Sequence, residues 1–345
     1  MRHLQLCWEI LPSVSRSFAL CIKILPKPLN QQMMVSYLFY RILDTIEDSH
    51  ADLRIKEELF SKVLALFAAQ EAKAEDISRC RNDLLSKLDY TYEKVLLENL
   101  ESVVRVFYSH PKEIRNAILA RGKTMAAGML KFQRKKIETF ADQNRYSYYV
   151  AGVIGHLFND LLFLNGIISL HLKKRLRFYA RQFGLALQKI NILRDIAHDI
   201  SQNRYFWPES IMKKYGLSYA TLCDADKRQA ALKVLRIQIY NAITYLYSAM
   251  KYILLLPKRA VRVRMFCLIP LFMAIESYAK CIDNHEIFDP SKKIKISRSQ
   301  VYDIVAKSRL WGSSNERLVN WFLAKMSQAG HDFVREEYIR SLSHA

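Results

Sequence analysis

The chain has 345 residues, 51% of them hydrophobic, but only 9 Gly and 8 Pro. So few helix breakers, and no Gly/Ser-rich or Pro-rich linker, favour long helices in one large domain spanning residues 1–345. Its 53 Lys and Arg against 33 Asp and Glu give a net charge of +20, which favours anionic partners. Nucleic acid is excluded as a partner because no recognised binding motif is present.

The compartment follows from the cysteines and the N-terminus. The six cysteines show no C-x-x-C pair or metal-ligand spacing and are interpreted as reduced packing thiols. Glu9 and Pro12 interrupt the only apolar run near the N-terminus, so no secretory signal is expected. The apolar stretch 148–172 contains His156 and Asp160 and is not interpreted as a membrane span. A cytoplasmic chain is therefore expected.

The predicted elements form a series of helices. Ser13 or Ser15 can cap a first helix that reaches Lys23, and the next helix runs from about Asn30 to Ser49. Further helices are predicted over 51–88, 99–140 with a break near Pro111, 146–172, 174–201, and from 209 to about 281 with a kink or break at Pro257 and at Pro270. Residues 202–208 form a loop, and residues 283–299 form a basic connector.

Two acidic clusters lie on the predicted helices, Asp44, Glu47 and Asp48 on the first and Asp195 and Asp199 on the second. Spacings of three and four residues place carboxylates on one helix face, where like charges repel. Mg²⁺ would offset this repulsion, since it prefers carboxylate oxygens completed by substrate phosphates. Two facing helices of this kind would hold a metal-bound diphosphate. The alternative is a solvated face paired with Lys or Arg, which is favoured for either cluster alone but less so for both together.

Five stretches carry a resemblance to a known family: SRSF (15–18), YLFYRILDTIED (37–48), YSYYVAGVIG (146–155), LQKINILRDIAHD (187–199) and NRYFWP (203–208). In this order they resemble the squalene/phytoene synthase family, from about residue 13 to about residue 333. NRYFWP, and FCLIPLFMAI at 266–275, are more similar to its squalene synthases than to its phytoene synthases. The resemblance implies an all-α, single-domain isoprenoid synthase bundle around a central apolar cavity.

The resemblance also implies roles for individual residues. Arg16, Arg41 and Arg204 match positions near the diphosphates, and arginine suits phosphate because its planar group donates paired hydrogen bonds. For the arginines beside the clusters, Arg194 included, the alternative is an ion pair with the same carboxylates. Tyr37 and Tyr146 match tyrosines near the reacting carbons, where a phenol ring can also stabilise a carbocation. The other substrate-binding positions are Ser15, Ser17, Phe18, Val150, Gly152, Gly155, Gln188, Asn191, Phe266 and Pro270.

Two glycines in one predicted helix suggest a close approach of another element. Gly152 and Gly155 should each cost about 1 kcal/mol relative to Ala in a helix. They could form a smooth wall for an isoprenoid chain or a helix-helix contact, and neither interpretation excludes the other.

The reaction implied by the resemblance has two half-reactions. Two farnesyl diphosphates condense with Mg²⁺ to presqualene diphosphate, which is rearranged and reduced by NADPH to squalene. No G-x-G-x-x-G motif is present, so a Rossmann site is not expected. Candidate NADPH residues are Ser17, Asn191, Lys295 and Arg298, although a solvated basic loop is the favoured interpretation of the last two.

Alternative functions and partners stay open at this stage. A dehydrosqualene or phytoene synthase would share the metal site but omit the reduction, and a non-catalytic family member could act as an assembly factor. A monomer is expected. The amphipathic C-terminal segment, about 300–345, either packs against the body or makes peripheral contact with an anionic membrane at its cytoplasmic face.

Overall fold

The computed structural model describes residues 2–88 and 93–328, and every regular element in these ranges is helical. The all-α prediction is confirmed. The chain forms two compact units, the first comprising residues up to Lys135 together with His156–Lys173, and the second Lys136–Gly155 together with the chain from Lys174 onward. The single-domain interpretation stays a prediction, and its portion beyond residue 328 lies outside the described residues.

The first unit is organised around one buried helix. Its helices are α1 (Arg2–Val14), α2 (Arg16–Ile24), α3 (Leu29–Asp48), α4 (Leu53–Ala68), α5 (Ala74–Lys87), α6 (Lys94–Glu98), α7 (Leu100–Tyr108) and α8 (Lys112–Gln133). Helix α3 packs against α1, α2, α4, α7 and α8, and Phe39 at its centre stacks on Phe67 with 4.2 Å between ring centroids. The acidic residues at the end of α3 are therefore carried by a helix fixed by its neighbours.

The first helix of the chain was not predicted. The sequence predicted a start at Ser13 or Ser15, and Ser15 does cap α2, where its hydroxyl accepts a hydrogen bond from the Phe18 backbone N–H at 3.3 Å. However, α1 precedes it and contains Pro12. Packing of α1 against α3 and α7, with Ile10 and Leu11 buried, offsets the hydrogen bond that proline removes.

The second unit begins with an interrupted helix. Its elements are α9 (Phe140–Ser147), a π-helical turn (Tyr148–Gly152), α10 (Val153–Leu164), α11 (Leu170–Arg194), α12 (Ile196–Ser201), α13 (Glu209–Lys214), α14 (Arg228–Leu255), α15 (Val261–Cys281), a 3₁₀ turn (His285–Phe288), α16 (Arg298–Trp311) and α17 (Asn315–Gln328), with α10 and α11 contributing residues to both units. Trp321 stacks on Phe272 at 3.4 Å between ring centroids, so α17 is packed onto α15.

One predicted helix boundary was wrong. The helix predicted over 146–172 ends at Leu164, and α11 begins at Leu170, because Gly166 between them adopts φ +68°, a left-handed conformation that ends a helix. Pro257 follows the end of α14 as predicted, but Pro270 lies inside α15 without ending it. The buried neighbours Ile269 and Leu271 keep that helix packed.

The close approach predicted from Gly152 and Gly155 is confirmed. A Cβ on Gly155 would lie 1.9 Å from the carbonyl oxygen of Ala180 on α11, and a Cβ on Gly184 would lie 2.3 Å from that of Ala151. The two segments therefore touch backbone to backbone, as only glycine allows. This contact supports the packing interpretation, while the substrate-wall interpretation stays a prediction.

Two further sequence expectations concern membranes and thiols. Within the described ranges no helix has both the length and the apolarity to cross a bilayer. All six cysteines are free and none is exposed, as expected of packing thiols.

Candidate functional site

Four candidate residues of the first unit lie along one stripe of α3. Tyr37, Arg41, Asp44 and Asp48 follow each other at spacings of four, three and four residues, which places them on one helix face. The Arg41 guanidinium bridges Asp44 and Glu93. Burial alone would lower the pKa of Arg41, but these carboxylates raise it above its ordinary value. The arginine is therefore a permanent cation at the centre of the stripe.

The SRSF segment lies at the Tyr37 end of this stripe. The Ser15 side chain is hydrogen-bonded to Tyr37, and the Phe18 ring lies 5.4 Å from the Tyr37 ring between centroids. Burial raises the pKa of Tyr37, with the Ser15 hydrogen bond acting in the opposite direction, so the phenol keeps its proton at neutral pH. Arg16 and Ser17 are exposed.

Glu47 differs from the other two carboxylates of its cluster. It is only 7% exposed, whereas Asp44 is half-buried and Asp48 is exposed. Lys56 Nζ donates to the backbone oxygen of Glu47 at 2.7 Å. Burial lowers the pKa of Lys56, while Glu47 and Asp48 counteract that shift. Asp44 and Asp48 thus form the open pair of the cluster, and a metal-binding role for Glu47 stays a prediction.

The second unit carries a similar polar face. Gln188, Asn191, Asp195 and Asp199 are spaced by three, four and four residues, although α11 ends at Arg194 and α12 restarts after Asp195. The Asp199 N–H still donates to the Asp195 carbonyl at 2.8 Å, so the helical register continues across the break. Gln188 is half-buried and Asn191 exposed.

Arginine is paired with both carboxylates of this face. Arg194 donates to the two oxygens of Asp195 through Nε at 2.7 Å and Nη2 at 2.5 Å. Arg204 Nη2 lies 3.2 Å from Asp199 Oδ1, and its backbone N–H donates to the Asp199 carbonyl at 2.8 Å. The ion-pair alternative is thus what the structure shows for these arginines. Their contact with diphosphate stays a proposal.

The loop that carries Arg204 is tied to the body of the unit. The fully buried Trp207 donates from Nε1 to the Ile192 carbonyl at 3.1 Å, and Gln143 Nε2 donates to the Phe206 carbonyl at 3.0 Å. The Phe206 ring stacks on the buried Tyr146 at 4.7 Å between centroids. These contacts hold the loop in place, so the positions of Tyr146 and of Arg204 depend on the same loop.

The remaining candidates of the second unit occupy three places. Val150 and Gly152 lie in the π-helical turn directly after Tyr146, a distortion often found at functional sites. Phe266 is buried and Pro270 half-buried on α15. Lys295 and Arg298 are exposed at the start of α16.

A buried lysine beside Gln188 was not predicted from the sequence. Lys189 is 3% exposed and donates to Gln143 Oε1 at 2.7 Å and Asn241 Oδ1 at 2.6 Å, and its ammonium lies 4.9 Å from the Tyr245 ring centroid. Burial without a carboxylate partner lowers its pKa to about 7. Because Gln143 also holds Phe206, Lys189 supports the loop next to Tyr146. A lysine inside the apolar run LQKINIL was the signal that could have found it.

The stability of the protein should rise with pH because of Lys189. In the folded protein the Lys189 ammonium releases its proton near pH 7, whereas in the unfolded chain its pKa has the ordinary value of 10.5. Between these two pH values, unfolding therefore takes up one proton at Lys189. Lys189 alone should increase the free energy of unfolding by up to about 1.4 kcal/mol per pH unit, and the gain should be measured between pH 7 and 9, because at higher pH the buried cysteines, whose pKa values are raised by burial, act in the opposite direction. Denaturant unfolding of Lys189→Met should lack this gain. The exposed Lys123→Met control should keep it, and equal slopes in all three proteins would contradict the assignment.

The donor sets fit Mg²⁺. Among residues 2–88 and 93–328, no three Asp, Glu, His or Cys side chains form a complete metal-binding group. Mg²⁺ does not need one, since one or two carboxylates, water and substrate phosphates usually hold it. Asp44 with Asp48, and Asp195 with Asp199, each supply two carboxylates four residues apart. Each pair is therefore suited to Mg²⁺ that arrives with a diphosphate.

The basic residues proposed for NADPH fit an anionic group. Lys295 and Arg298 make no ion pair with a carboxylate of the described chain, and Arg298 opens α16 next to its Ser297 cap. The first turn of a helix favours phosphate through its free N–H groups. A solvated basic surface explains the same exposure, so both interpretations stay open.

The described residues thus form an all-helical protein with two acidic helix faces that are paired with arginine. The family model described as squalene/phytoene synthase matches residues 11–300. The chain belongs to this family, as the sequence motifs predicted.

Relatives and solved structures agree with this assignment. The chain is 30% identical to the squalene synthase of Schizosaccharomyces pombe over 89% of its own length and 65% of that protein. It is 32% identical to the squalene synthase of Nicotiana benthamiana, over 88% of its own length and 70% of that protein. A solved complex of TcSQS with the ligand BPH1237 matches at a TM-score of 0.85 and 27% identity, covering 99% of this chain and 96% of that one. The solved structure of a dehydrosqualene synthase matches at a TM-score of 0.60 and 18% identity, covering 90% of this chain and 96% of that one. At this identity the match supports the fold alone.

Proposed function

We propose that the protein is a squalene synthase, a farnesyl-diphosphate farnesyltransferase that joins two farnesyl diphosphates to presqualene diphosphate and reduces this to squalene. The proposal depends on the similarity over most of this chain to proteins named squalene synthase. The chain spans about two thirds of the length of these relatives. The intact acidic pairs argue against a non-catalytic assembly factor.

The charged residues would bind the substrate diphosphates. Arg16, Arg41, Arg194 and Arg204 would donate hydrogen bonds to phosphate oxygens, a role for which a permanently charged planar group is suited. Mg²⁺ would be held by the carboxylates of Asp44, Asp48, Asp195 and Asp199. Glu47, which is more buried than Asp44 and Asp48, would complete the first cluster. When bound, Mg²⁺ supplies electrostatic stabilisation of the negative charge on the departing diphosphate.

The aromatic and apolar residues would protect the allylic cation. Tyr37 and Tyr146 present phenol rings whose faces stabilise positive charge, and Tyr146 is held in place by its stacking on Phe206. The other substrate-binding residues would orient the prenyl chains and exclude water, which would otherwise quench the cation. These are Ser15, Ser17, Phe18, Val150, Gly152, Gly155, Gln188, Asn191, Phe266 and Pro270.

The reductive step distinguishes this function from its nearest alternative. NADPH would supply a hydride, with Ser17, Asn191, Lys295 and Arg298 as candidates for its binding. Without that step the product would be dehydrosqualene or phytoene. We further propose that the protein is cytoplasmic, which its free packing thiols support, and that it is a monomer.

Product analysis tests the proposal. Purified protein incubated with farnesyl diphosphate, Mg²⁺ and NADPH should form squalene, and presqualene diphosphate or dehydrosqualene should accumulate when NADPH is omitted, because the cation then lacks a hydride. Mass spectrometry identifies the products, and a reaction with a chelator in place of Mg²⁺ is the control. Dehydrosqualene with and without NADPH would favour the sister enzyme, and no product in any mixture would favour the assembly factor.

A further inference from the structure

The first half of α11 exposes a face that is both apolar and basic. Leu170 is 51% and Phe178 57% exposed. Lys174, Arg175 and Arg177 are exposed as well, as are His171 and Arg181. At 100° per residue these seven side chains occupy an arc of about 160° around the helix, while Leu176 and Ala180 on the opposite side are buried.

The positive charge of this face is not compensated. From Leu161 to Arg194 the chain contains seven Lys and Arg residues and no Asp or Glu. Lys173, at the edge of the face, pairs with Asp160 at 2.8 Å, but in the described chain Lys174, Arg175 and Arg177 form no ion pair. The pKa of Lys251 on α14 is lowered, first by burial and second by the positive charge of Arg175. The ammonium group of Lys251 is therefore a further positive charge near this face.

This combination distinguishes the face from an ordinary solvated helix. Basic side chains on the first unit, such as Lys62 and Lys87, pair with Glu58, whereas this stretch of α11 carries no acidic residue at all. Large apolar side chains next to cations are the composition of helices that lie at a membrane surface, where cations attract anionic head groups and apolar groups enter the boundary below them. A single-stranded nucleic acid would favour several stacking aromatics and a duplex would need only the cations, whereas this face combines cations with the exposed apolar side chains of Phe178 and Leu170.

We propose that this face of α11 binds an anionic lipid surface. Phe178 and Leu170 would enter the head-group boundary, and Lys174, Arg175 and Arg177 would contact acidic head groups. The proposal goes beyond the catalytic function and does not depend on it, because binding is measured without substrate.

Vesicle flotation tests the proposal with the full chain. Wild-type protein should bind vesicles of phosphatidylcholine with one third phosphatidylserine, and bind pure phosphatidylcholine much more weakly. The triple variant Lys174→Glu/Arg175→Glu/Arg177→Glu should lose binding at least tenfold, at about 1 kcal/mol per basic residue. Phe178→Ser should weaken binding without changing its salt dependence.

Matched controls separate this face from the overall charge. The first control is the triple variant Lys112→Glu/Lys123→Glu/Lys131→Glu, which changes the net charge by the same amount on the exposed side of α8. The second is Leu310→Ser, which removes an apolar side chain that is 67% exposed on α16. Both should bind the vesicles like the wild type, with unchanged thermal unfolding in all variants. Equal loss in the two triple variants, equal binding to neutral vesicles, or tighter binding to an RNA oligonucleotide would overturn the proposal.

Discussion

Replacing Asp195 with Asn should lower the rate of squalene formation at least about a hundredfold, since electrostatic stabilisation of a departing diphosphate by a metal contributes several kcal/mol. Asn keeps the shape of the side chain but removes the charge that would hold Mg²⁺. The loss should be partly recovered at higher Mg²⁺ concentration. Steady-state rates measured over a series of Mg²⁺ concentrations check this, with unfolding of the variant followed in parallel.

A carboxylate outside the acidic faces provides the control for this substitution. Asp303 is exposed on α16 and pairs with Lys307 at 2.8 Å. Asp303→Asn should leave both the rate and its Mg²⁺ dependence unchanged. An Asp195→Asn enzyme that works at the wild-type rate would remove this residue from the metal site. A loss of activity that matches a loss of folded protein would reduce it to the structural partner of Arg194.

Substituting Gly155 with Ala should lower the free energy of unfolding by more than about 3 kcal/mol, beyond the usual cost of overpacking. The new Cβ would lie 1.9 Å from the Ala180 carbonyl oxygen. That atom belongs to the backbone of α11 and cannot rotate away as a side chain would. Denaturant or thermal unfolding measures the effect.

Another glycine provides the comparison for Gly155. Gly216 has φ +68°, and a Cβ added there would meet no atom within 4 Å, so Gly216→Ala should cost only about 1 kcal/mol of backbone strain. If the two variants are equally stable, the segments carrying Gly155 and Ala180 are not in backbone contact in solution.

The spacing of residues in the sequence was sufficient to predict the site geometry wherever all the residues concerned lie on one helix. The stripe of Tyr37, Asp44 and Asp48 on α3 follows from intervals of three and four residues, which any continuous helix turns into a shared face. The cap at Ser15 was predictable for a similar reason, because capping depends on a residue and the three that follow it.

Features decided by tertiary contacts could not be predicted in this way. Helix α1 tolerates Pro12 because of its packing against α3 and α7, and such contacts override local propensity. Glu47 has the spacing of a ligand, but its burial near Lys56 depends on α4. The support that Lys189 gives to Gln143 joins residues 46 positions apart, which no local pattern records.

The arginine-carboxylate pairs have a consequence for the order of binding. Asp44, Asp195 and Asp199 are each already paired with a guanidinium. A solitary divalent ion would have to compete with that internal counter-charge and would offer the displaced guanidinium no anion in return. An ion that arrives together with pyrophosphate gives the arginine a new anion in exchange, so uptake of metal and prenyl donor should be mutually dependent, each poor without the other.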